Sequence, residues 1–397
     1  MNIALYVNSF LPNVGGRELV VHQLARALQG LGHEVRVLGA SGWWRNAGVR
    51  TEYPVHRYPG LGRVLQGPVR VAQLGLDVAL RGCDVIHAHA TYPAGYRASL
   101  IKHMRRVPLV ITPHGADIHV IPELGHGLRL RPHLRDKIGQ ALHRADAITA
   151  ISEAIEVSLH DAGAPRERIY RVPNGVDLER FRRPRRPDLL SRLGLAPEDK
   201  FLLSVGNYNP RKGHEVAVAA MARVIEHEPR ARLVIVGRDT AVLADLVARH
   251  GLQGRVLLLG PLPPLPSAEE DVLAELYRGA QAYVSAGVSE GAEGLSLAVL
   301  DAMAAAKPVV ASAISGNRDV VRHGDNGLLV PPRDEVALAE AMLRVLRDDD
   351  ARAAMGQAAQ RHAAGYSWRV IAERYVEVYE RAMVRSARVA RTRANIG

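Results

Sequence analysis

The sequence predicts an α/β protein built from two doubly wound parallel-sheet domains. Short apolar, β-branched runs alternate with helical patterns through the first half of the chain, and the alternation restarts after a proline-rich break at Arg182–Pro187. Such alternation is typical of parallel sheets with helices on both faces. A chain of 397 residues is also longer than one hydrophobic core usually serves, which favours two domains.

The first half opens with a strand at Asn2–Val7, and the pair Gly15-Gly16 then begins a helix. The apolar face of that helix is predicted from three- and four-residue spacing, at Val20, Leu24, Ala27, Leu28 and Leu31. Further strands are predicted at Glu34–Leu38, Asp84–His87, Leu109–Thr112, Ala147–Ala150 and Ile169–Val172.

The break RRPRRP cannot form regular helix, because each proline lacks an N–H and restricts the residue before it. We therefore place an N-terminal domain at 1–180, a C-terminal domain at 181–366, a helix at Ser367–Met383 and a basic tail at 384–397. Strands of the second domain are predicted at Phe201–Val205, Leu233–Val236, Val256–Leu259, Ala282–Ser285, Val309–Ala311 and Leu328–Val330.

The composition is that of a soluble globular enzyme, with 47% hydrophobic and 23% charged residues. The single cysteine, Cys83, allows no intrachain disulfide, and the N-terminus has the pattern of a strand rather than a signal peptide. No apolar run reaches the ~20 residues of a membrane span, so the expected location is cytoplasmic. The net charge of +11 favours phosphates, lipid headgroups or nucleic acid as partners, or reflects only the base composition of the genome.

Two loops that follow predicted strands have features of phosphate-binding sites. Gly15 and Gly16 in Pro12–Gly16 (PNVGG) let a bulky anion approach a helix N-terminus, although the spacing does not match that of a nicotinamide-binding turn. In Val205–Gly213 (VGNYNPRKG), Arg211 and Lys212 suit the two phosphates of a nucleotide sugar. Each of these two features, alone, is also common in a purely structural loop.

Glu290–Ala304 (EGAEGLSLAVLDAMA) gives the strongest signal. Two glycines precede a helix whose first N–H groups, near Leu297 and Ala298, would point at a diphosphate. Glu293 and Asp301 lie about two helical turns apart. We expect Glu293 in the loop over a donor sugar and Asp301 facing a ribose, where a carboxylate can accept from two neighbouring hydroxyls.

A histidine follows another predicted strand, in Thr112–Asp117 (TPHGAD). His114 can hydrogen-bond a sugar hydroxyl or share a proton during transfer, or it can simply fix the turn. His87 and His89 flank a strand end without metal-ligand spacing, and we expect them to be core groups or to support neighbouring functional side chains.

These motifs together resemble those of the retaining glycosyltransferases of family 4 (group 1), over nearly the whole chain. The matching segments, in order, are PNVGG, TPHGAD, VPNGVD, VGNYNPRKG, EGLSLAVLDAMA and GDNGLLVPP. The resemblance implies a GT-B fold, in which two Rossmann-like domains face each other across a cleft that holds the donor. It also implies that the last helix, Ser367–Met383, packs back on the N-terminal domain.

The resemblance assigns roles by position. His114 would contact the donor sugar, Lys212 the diphosphate, Glu293 the sugar and Asp301 the ribose, with His114 and Glu293 as the catalytic pair. Asn207 and Asp117 are further donor-site candidates. Three positions depart from the family pattern: Asp301 replaces a glutamate, Asn207 stands where arginine is frequent, and Arg318-Asp319 replaces a Pro-Glu pair.

The expected reaction moves a sugar from a nucleotide-diphosphate donor to a glycan, glycolipid or small-molecule acceptor, with retention at the anomeric carbon. No cofactor and no metal are expected, because no Asp-x-Asp metal-binding motif stands in a loop after a strand. The acidic run Asp348–Asp350 lies between two helical patterns and is interpreted as a helix boundary. A sugar-nucleotide epimerase of the same fold is the alternative. A nucleic-acid-binding protein is less favoured, because no aromatic platform or recognised binding module is present.

A lipid-linked acceptor, as in the assembly of cell-envelope polysaccharide or glycolipid, would suit basic residues gathered on one face. The candidates are Lys102, Arg105, Arg106, Arg129, Arg131, Arg135, Lys137 and the five arginines after Glu380. They would hold the enzyme on an anionic membrane, or else they are solvated helix faces.

Overall fold

The computed structural model describes residues 1–13, 15–39, 51–58, 66–105, 107–196, 199–263, 266–291 and 294–394. The chain divides into two compact units. Unit 1 comprises Met1–Gly175 and Trp368–Gly397, and unit 2 comprises Val176–Ser367. The division therefore falls after Gly175, a little before the predicted boundary between residues 180 and 181.

Unit 1 contains a seven-stranded sheet of order β3-β2-β1-β4-β5-β6-β7, in which every pair of neighbours is parallel. Its strands are β1 Asn2–Tyr6, β2 Glu34–Leu38, β3 Val55–His56, β4 Val85–His89, β5 Leu109–Thr112, β6 Ala147–Ala150 and β7 Ile169–Arg171. The two-residue β3 was not predicted, because so short a strand has no periodicity to detect.

The helices of unit 1 cover both faces of this sheet, as doubly wound folds require. They are α1 Gly16–Gly30, α2 Gln66–Arg81, α3 Tyr96–Arg105, α4 Pro132–Arg144, α5 Glu153–Asp161 and the C-terminal α13 Trp368–Ala394. Of the face of α1 predicted from spacing, Val20, Leu24 and Leu28 are buried, whereas Ala27 and Leu31 are only half-buried.

The C-terminal helix is longer than the sequence indicated. The prediction ended it at Met383 and left 384–397 as a tail, but α13 continues to Ala394. The apolar periodicity stops near Met383, yet the next residues are mostly alanine, arginine and valine with no glycine or proline. Alanine and arginine have high helix propensity, so the helix continues as an exposed basic extension. Its buried face, with Ile371, Tyr375 and Tyr379, lies within unit 1.

Unit 2 contains a six-stranded parallel sheet of order β10-β9-β8-β11-β12-β13. Its strands are β8 Phe201–Val205, β9 Arg232–Val236, β10 Val256–Leu259, β11 Ala282–Ser285, β12 Val309–Ser312 and β13 Gly327–Val330. Its helices are α6 Asp188–Ser191, α7 His214–His227, α8 Ala244–Arg249, α9 Val272–Gly279, α10 Leu297–Ala304, α11 Glu335–Arg347 and α12 Asp349–Ala363. All six predicted strands are confirmed.

Two local predictions in unit 2 are also confirmed. Arg182–Pro187 forms no helix or strand beyond a turn. Asp348 is the N-cap of α12, and its carboxylate accepts the backbone N–H of Ala351 at 2.8 Å. The acidic run is therefore a helix boundary.

Because all strands of each sheet are parallel, their carboxyl ends meet at one edge, here called the strand-end edge. In unit 1 this edge follows Tyr6, His89 and Thr112, and in unit 2 it follows Val205 and Ser285. Ligands of open α/β sheets bind beyond such edges. The strand-end edges of both units hold the loops whose motifs the sequence analysis identified.

None of the helices in the described part of the chain has the length and apolar character needed to cross a bilayer.

Candidate functional site

The strand-end edge of unit 1 brings His114 against His89. His89 is the last residue of β4, and its Nδ1 lies 3.1 Å from Nε2 of His114. The two rings stack at 5.4 Å. Asp117 accepts the backbone N–H of His114 at 2.9 Å and that of Thr91 at 2.6 Å. Asp117, a candidate donor-site residue, is thus buried and shapes the loop that carries His114.

The imidazole of His114 is neutral at physiological pH. Burial lowers its pKa to about 3, and the nearby charge of Arg17 lowers it further in the same direction. The pKa of His89 is well below its ordinary value, chiefly because of burial and with contributions from His87, His114 and Arg17. His114 can therefore take part in a hydrogen bond without carrying a positive charge.

Arg17 was missed by the sequence reasoning. It lies in the first turn of α1, its side chain is 30% exposed, and its guanidinium donates to Glu18 at 3.0 Å. A cation in the first turn of a helix is electrostatically unfavourable unless an anion is also present. The position of Arg17 directly after Gly15 and Gly16 is the sequence feature that could have identified it as a candidate site residue.

Gly16 leaves space at the N-terminus of α1, whereas a Cβ added to Gly15 would lie 2.8 Å from Oε2 of Glu18. Gly15 is the N-cap in an extended conformation, and no side chain caps the helix. A Cβ on Gly16 would meet nothing within 4 Å. The first-turn N–H groups have no intrahelical acceptors, so an anion can approach them.

His87 belongs to the core, as predicted. Its Nδ1 lies 2.8 Å from the hydroxyl of Tyr379 in α13, and its Nε2 lies 2.6 Å from Oγ1 of Thr112 in β5. Thr112 in turn hydrogen-bonds Thr149 of β6. This fully buried network joins α13 to three neighbouring strands, and it explains why polar groups are tolerated in the core.

In unit 2, Lys212 and the start of α10 line the same pocket. The pocket also includes Ser285, Gly287 and Ser296, which is the N-cap of α10. The side chain of Lys212 lies over Gly206, which directly follows β8. A Cβ added to Gly206 would lie 3.4 Å from Nζ of Lys212. The loop is held by Gly213, which has φ 66° and whose added Cβ would lie 1.9 Å from the carbonyl oxygen of Ala286.

The N-terminus of α10 supplies the second positive feature of this pocket. Ser296 makes no side-chain cap hydrogen bond, and the first-turn N–H groups of Leu297 and Ala298 have no acceptor within the helix. Glu293, expected beside the donor sugar, lies outside the residues that the structure describes.

Arg211 and Asn207 take other contacts. Arg211 donates from Nε to Oδ1 of Asn209 at 3.1 Å, and Asn207 accepts the backbone N–H of Arg238 at 3.0 Å. Neither is among the residues that line the pocket of Lys212. Asn207 thus connects the loop after β8 to the loop after β9 through this hydrogen bond.

Asp301 lies near Arg180, a residue that the sequence reasoning did not single out. Oδ2 of Asp301 is 3.6 Å from Nη1 of Arg180, and Arg180 makes two 2.7 Å hydrogen bonds to Asp271. Burial raises the pKa of Asp301 to about 6, against the opposing charge of Arg180, while Asp177 and Asp271 push it upward. Asp301 keeps 21% side-chain exposure, so a ligand can reach it.

Arg318, which stands at a position where the sequence departs from the family pattern, forms an ion pair with Glu290. Arg318 donates to Glu290 at 2.6 Å, and the other carboxylate oxygen of Glu290 accepts the backbone N–H of Ser315 at 2.9 Å. Burial opposes ionisation of Glu290, but these hydrogen bonds hold its pKa below the ordinary value. The pair ties the loop after β11 to the loop after β12.

Three of the basic residues named for membrane binding have partners within unit 1. Lys102 donates to Asp146 and to the carbonyl of Arg144, both at 2.7 Å. Arg129 donates to the carbonyls of Ile118 and Ser158, each at 3.2 Å. Lys137 lies over the rings of Tyr92 and Tyr96. The side chain of Arg105 and all of Arg106 lie outside the described residues, and Arg131 and Arg135 are exposed.

Structural comparison gives the fold. Sucrose-phosphate synthase from Thermosynechococcus elongatus matches with a TM-score of 0.81 at 24% identity, over 96% of this chain and 99% of that chain. Anabaena HepE in complex with UDP-glucose matches with a TM-score of 0.77 at 22% identity, over 96% and 99%. Two Rossmann-like units and these neighbours establish the GT-B fold.

Sequence comparison gives the family. Residues 14–180 match Glycosyltransferase Family 4 and residues 186–362 match Glycosyl transferases group 1. D-inositol 3-phosphate glycosyltransferase of Thermobispora bispora is 35% identical over 328 residues, 79% of this chain and 74% of that protein. N-acetyl-alpha-D-glucosaminyl L-malate synthase of Bacillus anthracis is 27% identical over 364 residues, 88% and 89%. The chain therefore belongs to the family 4, group 1 glycosyltransferases.

Proposed function

We propose that this glycosyltransferase moves a sugar from a nucleoside diphosphate donor to an acceptor hydroxyl with retention of anomeric configuration. The observation that carries the proposal is the pocket shared by Lys212 and the uncapped N-terminus of α10. A lysine ammonium and a helix N-terminus at one place suit a diphosphate, which carries negative charge before transfer and gains more as it leaves.

The roles of the other residues follow from their chemistry. Asp301 accepts hydrogen bonds from the ribose hydroxyls, while His114 and Glu293 act at the transferred sugar. The bond from the anomeric carbon to the diphosphate oxygen breaks, and the acceptor oxygen bonds to that carbon on the same face. The acceptor proton passes to the departing diphosphate. Positioning and stabilisation of the leaving group supply most of the rate enhancement.

We propose that this transfer needs neither metal nor further cofactor. The positive charge that a diphosphate requires is supplied by Lys212 and α10. The acidic run Asp348–Asp350 would be a candidate metal site in a metal-assisted transfer, but it begins at the N-cap of α12.

The acceptor is proposed to carry an anionic group beside its reactive hydroxyl. D-inositol 3-phosphate and L-malate, which appear in the names of the relatives, share this chemistry. In unit 1, Arg57, Arg70 and Arg97 lie near the strand-end edge, and they donate to Leu11, Gly39 and Asn8. None forms an ion pair with a carboxylate among the described residues. The sequence of unit 1 outside the described ranges contains no aspartate or glutamate either.

The test is a donor and acceptor screen. Each of UDP-, GDP- and ADP-sugars is incubated with inositol phosphates, with L-malate and with their uncharged analogues, and products are followed by mass spectrometry. The anomeric configuration of the product is read from its NMR coupling constant. Transfer to an anionic acceptor with retention supports the proposal. An epimerised donor formed without any acceptor would instead support the epimerase alternative.

A further inference from the structure

We propose that His89 is a positioning residue that fixes the proton of the His114 imidazole on Nδ1, making His114 a hydrogen-bond donor at the transfer site. The functional part of this inference rests on the proposed role of His114 at the sugar. The tautomer itself follows from the surroundings of the two rings.

The contact between the rings is direct, and His89 makes no other side-chain hydrogen bond with the described residues. His89 is fully buried, and its Nδ1 is 3.1 Å from Nε2 of His114. The other nitrogen of His89, Nε2, is buried and has no hydrogen-bond partner among the described residues. A neutral imidazole carries one N–H and one bare nitrogen, so the partner of each nitrogen decides where the proton lies.

The unpartnered nitrogen of His89 decides the tautomer of both rings. A buried N–H without an acceptor loses its hydrogen bonds to water, and such orphaned donors are rare in folded proteins. The proton of His89 therefore lies on Nδ1, where it can be donated. Nε2 of His114 must then accept, which leaves the proton of the neutral His114 ring on Nδ1.

The surroundings hold this arrangement in place. Both nitrogens of His87 are engaged by Tyr379 and Thr112, and the His87 ring packs 4.1 Å from the His89 ring. The backbone N–H of His114 is held by Asp117. Arg17 adds a positive charge that disfavours protonation of either His89 or His114. Neither ring then becomes a doubly protonated donor at neutral pH.

The consequence is a defined polarity at the site. Nδ1 of His114 makes no hydrogen bond within the described residues, although the side chain is only partly buried. It offers an N–H to an oxygen of the bound substrate. His114 in this form donates a hydrogen bond to the substrate and does not withdraw a proton through Nδ1.

The tautomer is measured by NMR on the full chain labelled with 13C and 15N histidine. His114→Gln identifies the His114 signals by their loss. We expect wild-type His114 in the Nδ1–H form, which is the minor tautomer of free neutral histidine. His89→Leu should return His114 toward the Nε2–H form. A wild-type His114 in the Nε2–H form, or an unchanged tautomer in His89→Leu, would overturn the proposal whether or not transfer activity is found.

Kinetics add a second readout. His89→Leu should lower kcat by about 10- to 100-fold, up to the loss typical of one aligned donor, with donor KM within about twofold. His89→Asn, which can place an amide N–H near the former Nδ1, should restore the Nδ1–H tautomer of His114 and much of kcat. Circular dichroism of both variants separates misfolding from mispositioning. Equal losses in His89→Asn and His89→Leu, with both folded, would contradict the positioning role.

Discussion

Asp301 is proposed to serve donor binding at the expense of the stability of unit 2. Its folded-state pKa of about 6 lies above the ordinary 3.8, chiefly because it is buried. Ionisation is therefore less favourable in the folded than in the unfolded chain. Asp301→Asn removes that ionisation, keeps a similar shape and leaves Arg180 its two hydrogen bonds to Asp271. We expect the variant to be more stable and to bind the donor less well.

The size of the gain follows from the two pKa values. The difference between 3.8 and about 6 corresponds to at most ~3 kcal/mol at neutral pH. One fifth of the side chain is exposed, so solvent reduces the effect to about 1–2 kcal/mol. The penalty is absent below the unfolded pKa, grows as pH rises toward the folded pKa, and is fully present above it. The gain should therefore fall to less than about half at pH 4.5.

Urea unfolding of both proteins at pH 4.5 and 7.5 measures this, and Asp325→Asn is a matched control that removes an exposed carboxylate of the same unit. Donor KM should rise about tenfold, since a charged acceptor of ribose hydroxyls is lost. An Asp301→Asn variant that is no more stable at pH 7.5, or whose gain does not depend on pH, would refute the reasoning.

Three further outcomes are expected. Lys212→Ala should lower kcat/KM by about 100-fold while preserving the fold. The control Lys200→Ala, at the amino end of β8, should change kcat/KM little. Near wild-type transfer by Lys212→Ala would contradict the assignment of Lys212 to the diphosphate. Transfer should persist in excess EDTA, and loss that Mg²⁺ or Mn²⁺ restores would contradict metal independence. Because Lys102, Arg129 and Lys137 have partners within unit 1, sedimentation with anionic liposomes should show at most weak, salt-sensitive binding. Salt-resistant binding would refute that expectation.

The sequence was sufficient wherever a local rule decides the structure. Strand–helix alternation predicted both parallel sheets, and proline chemistry predicted the irregular segment at Arg182–Pro187. Parallel strands must end at one edge, so the sequence alone assigned the motif loops to the strand-end edges. The end of α13 was misplaced because apolar periodicity reports burial, and an exposed helix continues without it.

What only the tertiary structure decided is which partner each polar group meets. Asp117 and Asn207 were chosen as donor-site residues from their positions, yet their oxygens accept backbone N–H groups. Arg180 approaches Asp301 from 121 positions earlier in the chain, and His89 at the end of β4 meets His114, which follows the neighbouring strand β5. Sequence spacing does not encode such contacts, because they arise when separate strands are brought side by side. The sequence by itself therefore determined the family, the two sheets and the loops at their edges, while packing determined the ionisation and tautomer of the groups in those loops.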